Sequence, residues 1–149
     1  MYQVKRHSTS HFVPLRGHQY HVREWGNPQS SLPPVVLAHG WMDVAASWQF
    51  MVDSLSDAFF QSRRILAADW RGYGLTESVD CAFSDRQDII ALLDHLNVAR
   101  AVLIGQDGNR VGPMRFYRDS DEAIATSDEV RLAAPGGIAS VRVRALPLD

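Results

Sequence analysis

The sequence is first defined by what it has little of. It holds one cysteine, Cys81, which excludes an intramolecular disulfide framework and a metal site built from thiolates. Neither sign of charge dominates: 15 Lys+Arg stand against 17 Asp+Glu, for a net charge of −2. That balance excludes the basic footprint that nucleic acid or an anionic lipid surface requires. The longest apolar runs, PPVVLA (33–38) and AVLIG (101–105), are far shorter than a membrane span. The opening MYQVKRHSTSHF has no apolar core of a secretory signal. No Gly-x-Gly-x-x-Gly or Walker A sequence comes after any predicted strand. Asp119, Asp121, Glu122 and Asp128 lack the glycine and spacing of an EF-hand loop, and His7, His11, His18 and His21 lack metal-finger spacing and are expected at the surface. These absences lead to the expectation of a soluble, cytoplasmic chain with no cofactor, no metal, no nucleic-acid partner and no membrane partner.

The residues that are present suffice for a core. At 149 residues and 46% hydrophobic content, a single domain buries roughly 70% of its unfolded surface. FVPLRGHQYHVREWG (12–26) alternates Tyr20 and Val22 with His21, Arg23 and Trp25 after a turn at Arg16-Gly17-His18, which predicts an antiparallel hairpin. PVVLAHG (34–40), RRILAAD (63–69) and ARAVLIG (99–105) are short continuous apolar runs, the pattern of strands buried on both faces. Between the first two, Trp48, Met51, Val52 and Leu55 recur at helical spacing behind Ser47 as N-cap. Before the third, Ser84 and Gln87 form a capping-box pattern ahead of the stripe Ile89, Leu92, Leu93 and Leu96. Strand–helix–strand–helix–strand with short links predicts an α/β fold: a mainly parallel sheet with flanking helices and an N-terminal antiparallel hairpin. The tryptophans Trp25, Trp41, Trp48 and Trp70 are expected in the core or beside a pocket.

The character of the chain changes near residue 105, dividing it into 11–105 and a divergent tail, 106–149. All six histidines, all four tryptophans and the only lysine precede the tail, which holds six arginines and six alanines. Within it, residues 129–146 read as a hairpin turning at Pro135-Gly136-Gly137.

Two motifs carry a resemblance. His39-Gly40-Trp41 comes directly after a buried strand, and Asp69-Trp70-Arg71-Gly72-Tyr73-Gly74-Leu75-Thr76 after the next. Together with the order of elements, they make residues 11–105 resemble the N-terminal half of the α/β-hydrolase superfamily, looking like small bacterial esterase- or lipase-type hydrolases. The resemblance implies an oxyanion hole, with the backbone N–H of Trp41 as one donor, His39 and Gly40 shaping the turn, and Asp69, Arg71, Gly72 and Gly74 building a supporting loop. Such an N–H stabilises developing negative charge in a water-poor site.

After the third buried strand the superfamily places a nucleophile elbow, Gly-x-nucleophile-x-Gly. Here the register gives Gly105-Gln106-Asp107-Gly108-Asn109. Asp107 takes the nucleophile position, as in the haloalkane dehalogenase and epoxide hydrolase branches, and Gly108 N–H would complete the oxyanion hole. Asn109 replaces the elbow's second glycine, and Pro113 interrupts the helix an elbow needs. In the superfamily the triad histidine comes last along the chain, but His95 is the last histidine of this sequence. The complete triad is therefore not expected within these residues. Three readings are open: a hydrolase of ester or similar bonds in small molecules, with impaired or no catalysis; a truncated or frameshifted non-catalytic remnant; and a half-fold that pairs with another chain, or with its own copy, through an exposed sheet edge.

Overall fold

The computed structural model describes residues 1–40, 42–78, 85–98, 100–107, 110–113, 126–134 and 137–147. Side chains are described through residue 78, with Trp41 left out, and beyond it for residues 88–89, 91–98 and 101–105. The chain opens with a hairpin of β1 (Thr9–Leu15) and β2 (His18–Gly26), antiparallel from Thr9↔Glu24 to Leu15↔His18. Arg16 and Gly17 close it, both at positive φ (49° and 84°). That is the backbone twist of a two-residue type I′ loop, and glycine takes the second position without a Cβ penalty.

The parallel core is β3 (Val35–Ala38), β4 (Arg64–Ala68) and β5 (Arg100–Asp107). β3 lies at its centre, parallel to β4 on one side and to β5 on the other. β2 joins β4 antiparallel, extending the sheet with the expected hairpin. Beyond β5 come β6 (Arg110–Pro113), β7 (Thr126–Ala134) and β8 (Gly137–Pro147), the last two antiparallel to one another. The sheet order is β1-β2-β4-β3-β5-β8-β7, with β6 also paired to β5. The outer edge of β5 is divided: Arg100–Leu103 pair with β8 and Ile104–Asp107 with β6, both antiparallel. The open β5 edge expected from the sequence is therefore occupied, because the chain folds back on it.

Helices cover both faces. On one side, a 3-10 turn (Ala45–Trp48), α1 (Gln49–Ser54) and α2 (Asp57–Ser62) pack Trp48, Val52, Leu55, Phe59 and Phe60 against Trp25, Val35, Leu37, Ile65, Ala67, Val102 and Ile104. On the other, α3 (Asp85–His95) packs Ile89, Leu92 and Leu93 against Tyr20, Val22, Val36, Leu66 and Leu103. Odd and even strand positions thus feed separate cores, which is why β3 and β4 read as continuous apolar runs. Trp25, Trp48 and Trp70 are buried as expected; Trp41 lies outside the described residues.

Two local expectations need correction. Ser47 is not an N-cap: it sits inside the 3-10 turn and its hydroxyl donates to the Asp43 carboxylate. A second short helix, α2, comes next, capped by Ser56 Oγ accepting from Phe59 N at 3.2 Å. The Ser84–Gln87 capping box lies outside the described side chains. α3 ends where Asn97 adopts positive φ (52°) and Val98 N–H returns to Leu93 O at 2.9 Å. This six-to-one closure satisfies carbonyls the helix would otherwise leave unpaired.

α3 is tied to the sheet by a fully buried carboxylate, Asp88. Its Oδ1 accepts from Arg71 Nη2 at 2.7 Å and from Arg16 Nη1 at 3.1 Å, and its Oδ2 from the Tyr20 hydroxyl. Arg71 Nε in turn donates to Tyr20 Oη. Burial, and then donation to Asp88, push the Tyr20 phenol well above its ordinary pKa, so it remains a donor. Asp88→Ala removes one partner of a buried ion pair, and unfolding free energy is expected to fall by about 3–5 kcal/mol. Urea titration checks this; a loss under about 1 kcal/mol, the scale of a surface pair, contradicts the assignment.

Candidate active site

The C-terminal ends of β3, β4 and β5 meet along one edge of the sheet. The register Ala38↔Gly105 aligns β3 with β5, so Gly40 and Asp107 each lie two residues beyond the same rung. The Asp69–Thr76 loop leaves β4 from that edge.

His39 joins the first two strand ends. Its Nε2 accepts from the Trp70 backbone N–H at 3.0 Å, and its Nδ1 lies 2.9 Å from the Gly40 carbonyl. An N–H donor at Nε2 and a carbonyl acceptor at Nδ1 fix the neutral tautomer with its proton on Nδ1. Trp70 Nε1 donates back to the His39 carbonyl at 2.9 Å. Both ring nitrogens are engaged and the residue is buried, so His39 holds the turn after β3 in place and has no free nitrogen to act as a base.

The loop is organised around Asp69. Its Oδ1 accepts from Ala45 N at 2.6 Å, and its Oδ2 from Leu75 N at 3.1 Å and from His21 Nδ1 at 2.7 Å. Its backbone N–H donates to the His21 carbonyl at 2.9 Å. Thr76 Oγ1 donates to the Asp69 carbonyl at 2.7 Å and accepts from His21 N at 2.9 Å. The hydroxyl at the loop's last position therefore acts as donor and acceptor at once, which a serine or threonine supplies and an apolar side chain does not. Gly74 has φ +54°, and a Cβ there would lie 2.2 Å from Asp69 Cγ. The motif's second glycine is thus the space that lets the carboxylate sit under the loop. Gly72 takes φ +76°, and a Cβ there would meet open space. Arg71 turns to Tyr20 and Asp88.

Gly105 is buried in β5. Asp107 is the last residue of β5, and its side chain is outside the described set, as are Trp41 and Gly108. Asp107 pairs with Arg110, and strand β6 follows β5 where the elbow pattern has a helix. Gly-Asn between two strands is a hairpin signal, and Pro113 ends any helix that would begin there. His21 corrects the sequence reading most: it is not at the surface but fully buried between Asp69 and Ser10. Its place in the period-two alternation, beside the buried Tyr20 and Val22 of a strand with two covered faces, was the available signal. A cavity of about 580 Å³, lined by residues including Lys5, His11, Glu24, Trp25 and Phe60, lies towards the opposite end of the sheet, where Gly26 pairs with the first residue of β4.

Residues 35–145 match the model of the Alpha/beta hydrolase family. The chain belongs to that family. Over 108 residues this alpha/beta hydrolase chain is 35% identical to epoxide hydrolase A of Mycobacterium tuberculosis, a match covering 69% of the chain and 32% of that protein. The crystal structure of epoxide hydrolase A from Mycobacterium thermoresistibile superposes with TM-score 0.59 at 30% identity, covering 68% of this chain and 32% of that one. A haloalkane dehalogenase from Agrobacterium tumefaciens gives TM-score 0.57 at 26% identity, covering 67% and 33%. The chain spans about a third of the length of the curated relatives it matches. Among the described residues, no helix of this alpha/beta hydrolase is long and apolar enough to cross a membrane.

Two consequences are measurable. Burial lowers the His39 pKa below its ordinary 6.5, against smaller opposing pulls from the Gly40 carbonyl, Asp69 and Asp43. The unfolded chain then binds the extra proton first, so the stability His39 contributes is complete above about pH 6.5 and lost as pH falls towards the folded-state pKa. Between about pH 7.5 and about pH 5.5, His39→Gln is expected to lose less stability than the unaltered chain in chemical denaturation; parallel pH dependence of the two excludes this linkage. Gly74→Ala is expected to cost about 1–3 kcal/mol from the positive φ alone, with more from the contact with Asp69, and a cost near zero in the same titration excludes the packing described.

Proposed function

We propose that this chain carries the nucleophile half of an epoxide-opening hydrolase, with Asp107 as the nucleophile and the His39-Gly40-Trp41 turn, with Gly108 N–H, as the oxyanion hole. The observation that carries the reading is the β3–β5 register, which brings Asp107 to the same sheet edge as that turn. Similarity to epoxide hydrolases supports it. The chemistry of the residue favours an epoxide over the carboxylic ester first expected. Carboxylate attack on an ester carbonyl forms a reactive anhydride, whereas attack on a strained ring carbon forms an ordinary ester. In that step an Asp107 oxygen bonds the ring carbon, the carbon–oxygen bond opens, and the resulting alkoxide takes a proton from water. Hydrolysis of the ester then needs a base to activate water and an oxyanion hole for the tetrahedral intermediate.

In the family pattern the triad histidine follows the nucleophile, but within residues 1–149 every histidine precedes Asp107; His39 is fully engaged in hydrogen bonds, and His21 is bonded to Asp69 and Ser10. Turnover therefore requires an imidazole supplied from outside these residues. The chain alone is expected to be alkylated by styrene oxide and to accumulate the hydroxy-ester on Asp107, with negligible diol release. Peptide mass spectrometry locates the adduct, and Asp107→Asn abolishes it. A folded chain that leaves Asp107 unmodified at saturating epoxide overturns the proposal.

A further inference from the structure

A second chemically competent constellation stands on β1 and β2, the strands outward of β4 from the proposed site. Ser10 Oγ lies 2.9 Å from His21 Nε2, and His21 Nδ1 lies 2.7 Å from Asp69 Oδ2. The carboxylate only accepts, so in the neutral imidazole the proton sits on Nδ1 and Nε2 is left to accept from the serine hydroxyl. This is the role assignment of a nucleophile, a general base and the group that orients it, and it is recognised by geometry and not by chain order. The sequence offers no motif for it, because Ser10, His21 and Asp69 come from β1, β2 and the loop after β4.

The burial pattern fits those roles. His21 is fully buried and Asp69 nearly so, which holds the base and its orienting group rigid, while Ser10 is exposed and open to attack. Asp69 is fixed further by Ala45 N and Leu75 N, so it cannot turn away from the imidazole. Phe12 stands two residues after Ser10 on the same face of β1, is 57% exposed, and packs its ring 5.2 Å from that of His21. Arg23 is the cross-strand partner of Ser10, and its Nη1 donates to Ser8 Oγ at 3.0 Å. Its Nε is a buried donor with no hydrogen-bond partner among the described residues. An exposed hydroxyl is thus flanked by an apolar ring on one side and a guanidinium on the other.

We propose that Ser10, His21 and Asp69 form a second acyl-transfer site, with Ser10 and His21 as its catalytic residues and Asp69 as their positioning residue, accepting small activated esters with an apolar acyl or aryl group. Ser10 Oγ bonds the carbonyl carbon while its proton passes to His21 Nε2, and the Arg23 guanidinium stabilises the oxyanion. Collapse breaks the ester carbon–oxygen bond, and the departing alkoxide or phenoxide takes the proton from Nε2. Water, deprotonated by the same nitrogen, then releases the carboxylic acid and restores Ser10.

The test uses p-nitrophenyl acetate with the full chain. The expected result is a burst of one p-nitrophenolate per chain with the acetyl group on Ser10 by peptide mass spectrometry, and a labelling rate about 100-fold lower in Ser10→Ala. Circular dichroism and urea titration confirm that this exposed-site variant folds. Ser10→Cys preserves the constellation and is expected to alkylate with iodoacetamide at least about tenfold faster than a free cysteine peptide at neutral pH. Acetylation spread over surface nucleophiles with Ser10 unmodified, or Ser10→Cys reacting at the peptide rate, overturns the proposal and leaves the serine–histidine contact a structural hydrogen bond. Styrene oxide modification of Asp107 persists in Ser10→Ala, so failure at one site is distinguishable from failure at the other.

Discussion

The arrangement of the candidate site depends on one buried carboxylate, that of Asp69. Its two oxygens accept from three groups that arrive from different parts of the chain: the start of the 3-10 turn, the far side of its own loop, and a histidine of the N-terminal hairpin. A buried carboxylate is costly unless its lone pairs are filled, and here hydrogen-bond donors fill them. The consequence is geometric. The loop after β4 closes, the 3-10 turn is drawn towards the sheet, and β2 is held against β4 beyond the last rung of their ladder. Gly74 and Thr76 are read correctly only with this carboxylate in view, since one makes room for it and the other bonds to the same residue's carbonyl.

Much of the fold was legible because its signals are local. Continuous apolar runs marked β3, β4 and β5; period-two alternation and Arg16-Gly17 marked the hairpin; the stripe Ile89, Leu92 and Leu93 marked the inner face of α3. The features that escaped depend on contacts far apart in sequence. α2 is a six-residue helix whose Phe59 and Phe60 belong to no complete helical stripe, and only the cap at Ser56 announces it. The pairing of His21 with Asp69 joins residues 48 apart in sequence, which no window-based reading reaches. Of the site, the two motifs fixed which strand ends matter, whereas the roles of individual side chains were decided by tertiary hydrogen bonds. His39 is the clearest case: the motif placed it at the turn, and its two bonds determined its tautomer and its task.

The two proposed sites divide the chemistry of one edge of the molecule. At the end of β5 a carboxylate suits saturated, strained carbon and needs no activation to attack. On the hairpin a hydroxyl needs the neighbouring imidazole to become a nucleophile, and suits an acyl carbon. Asp69 serves both, supporting the loop beside the first and orienting the base of the second.

The buried tether at Asp88 bears on how the molecule is made. Its partners Arg16, Tyr20 and Arg71 all precede it in the sequence, by 72, 68 and 17 residues. A ribosome delivers the hairpin and the loop long before the carboxylate that joins them. The first half of the nascent chain, through Arg71, is therefore made before the carboxylate that ties it to α3.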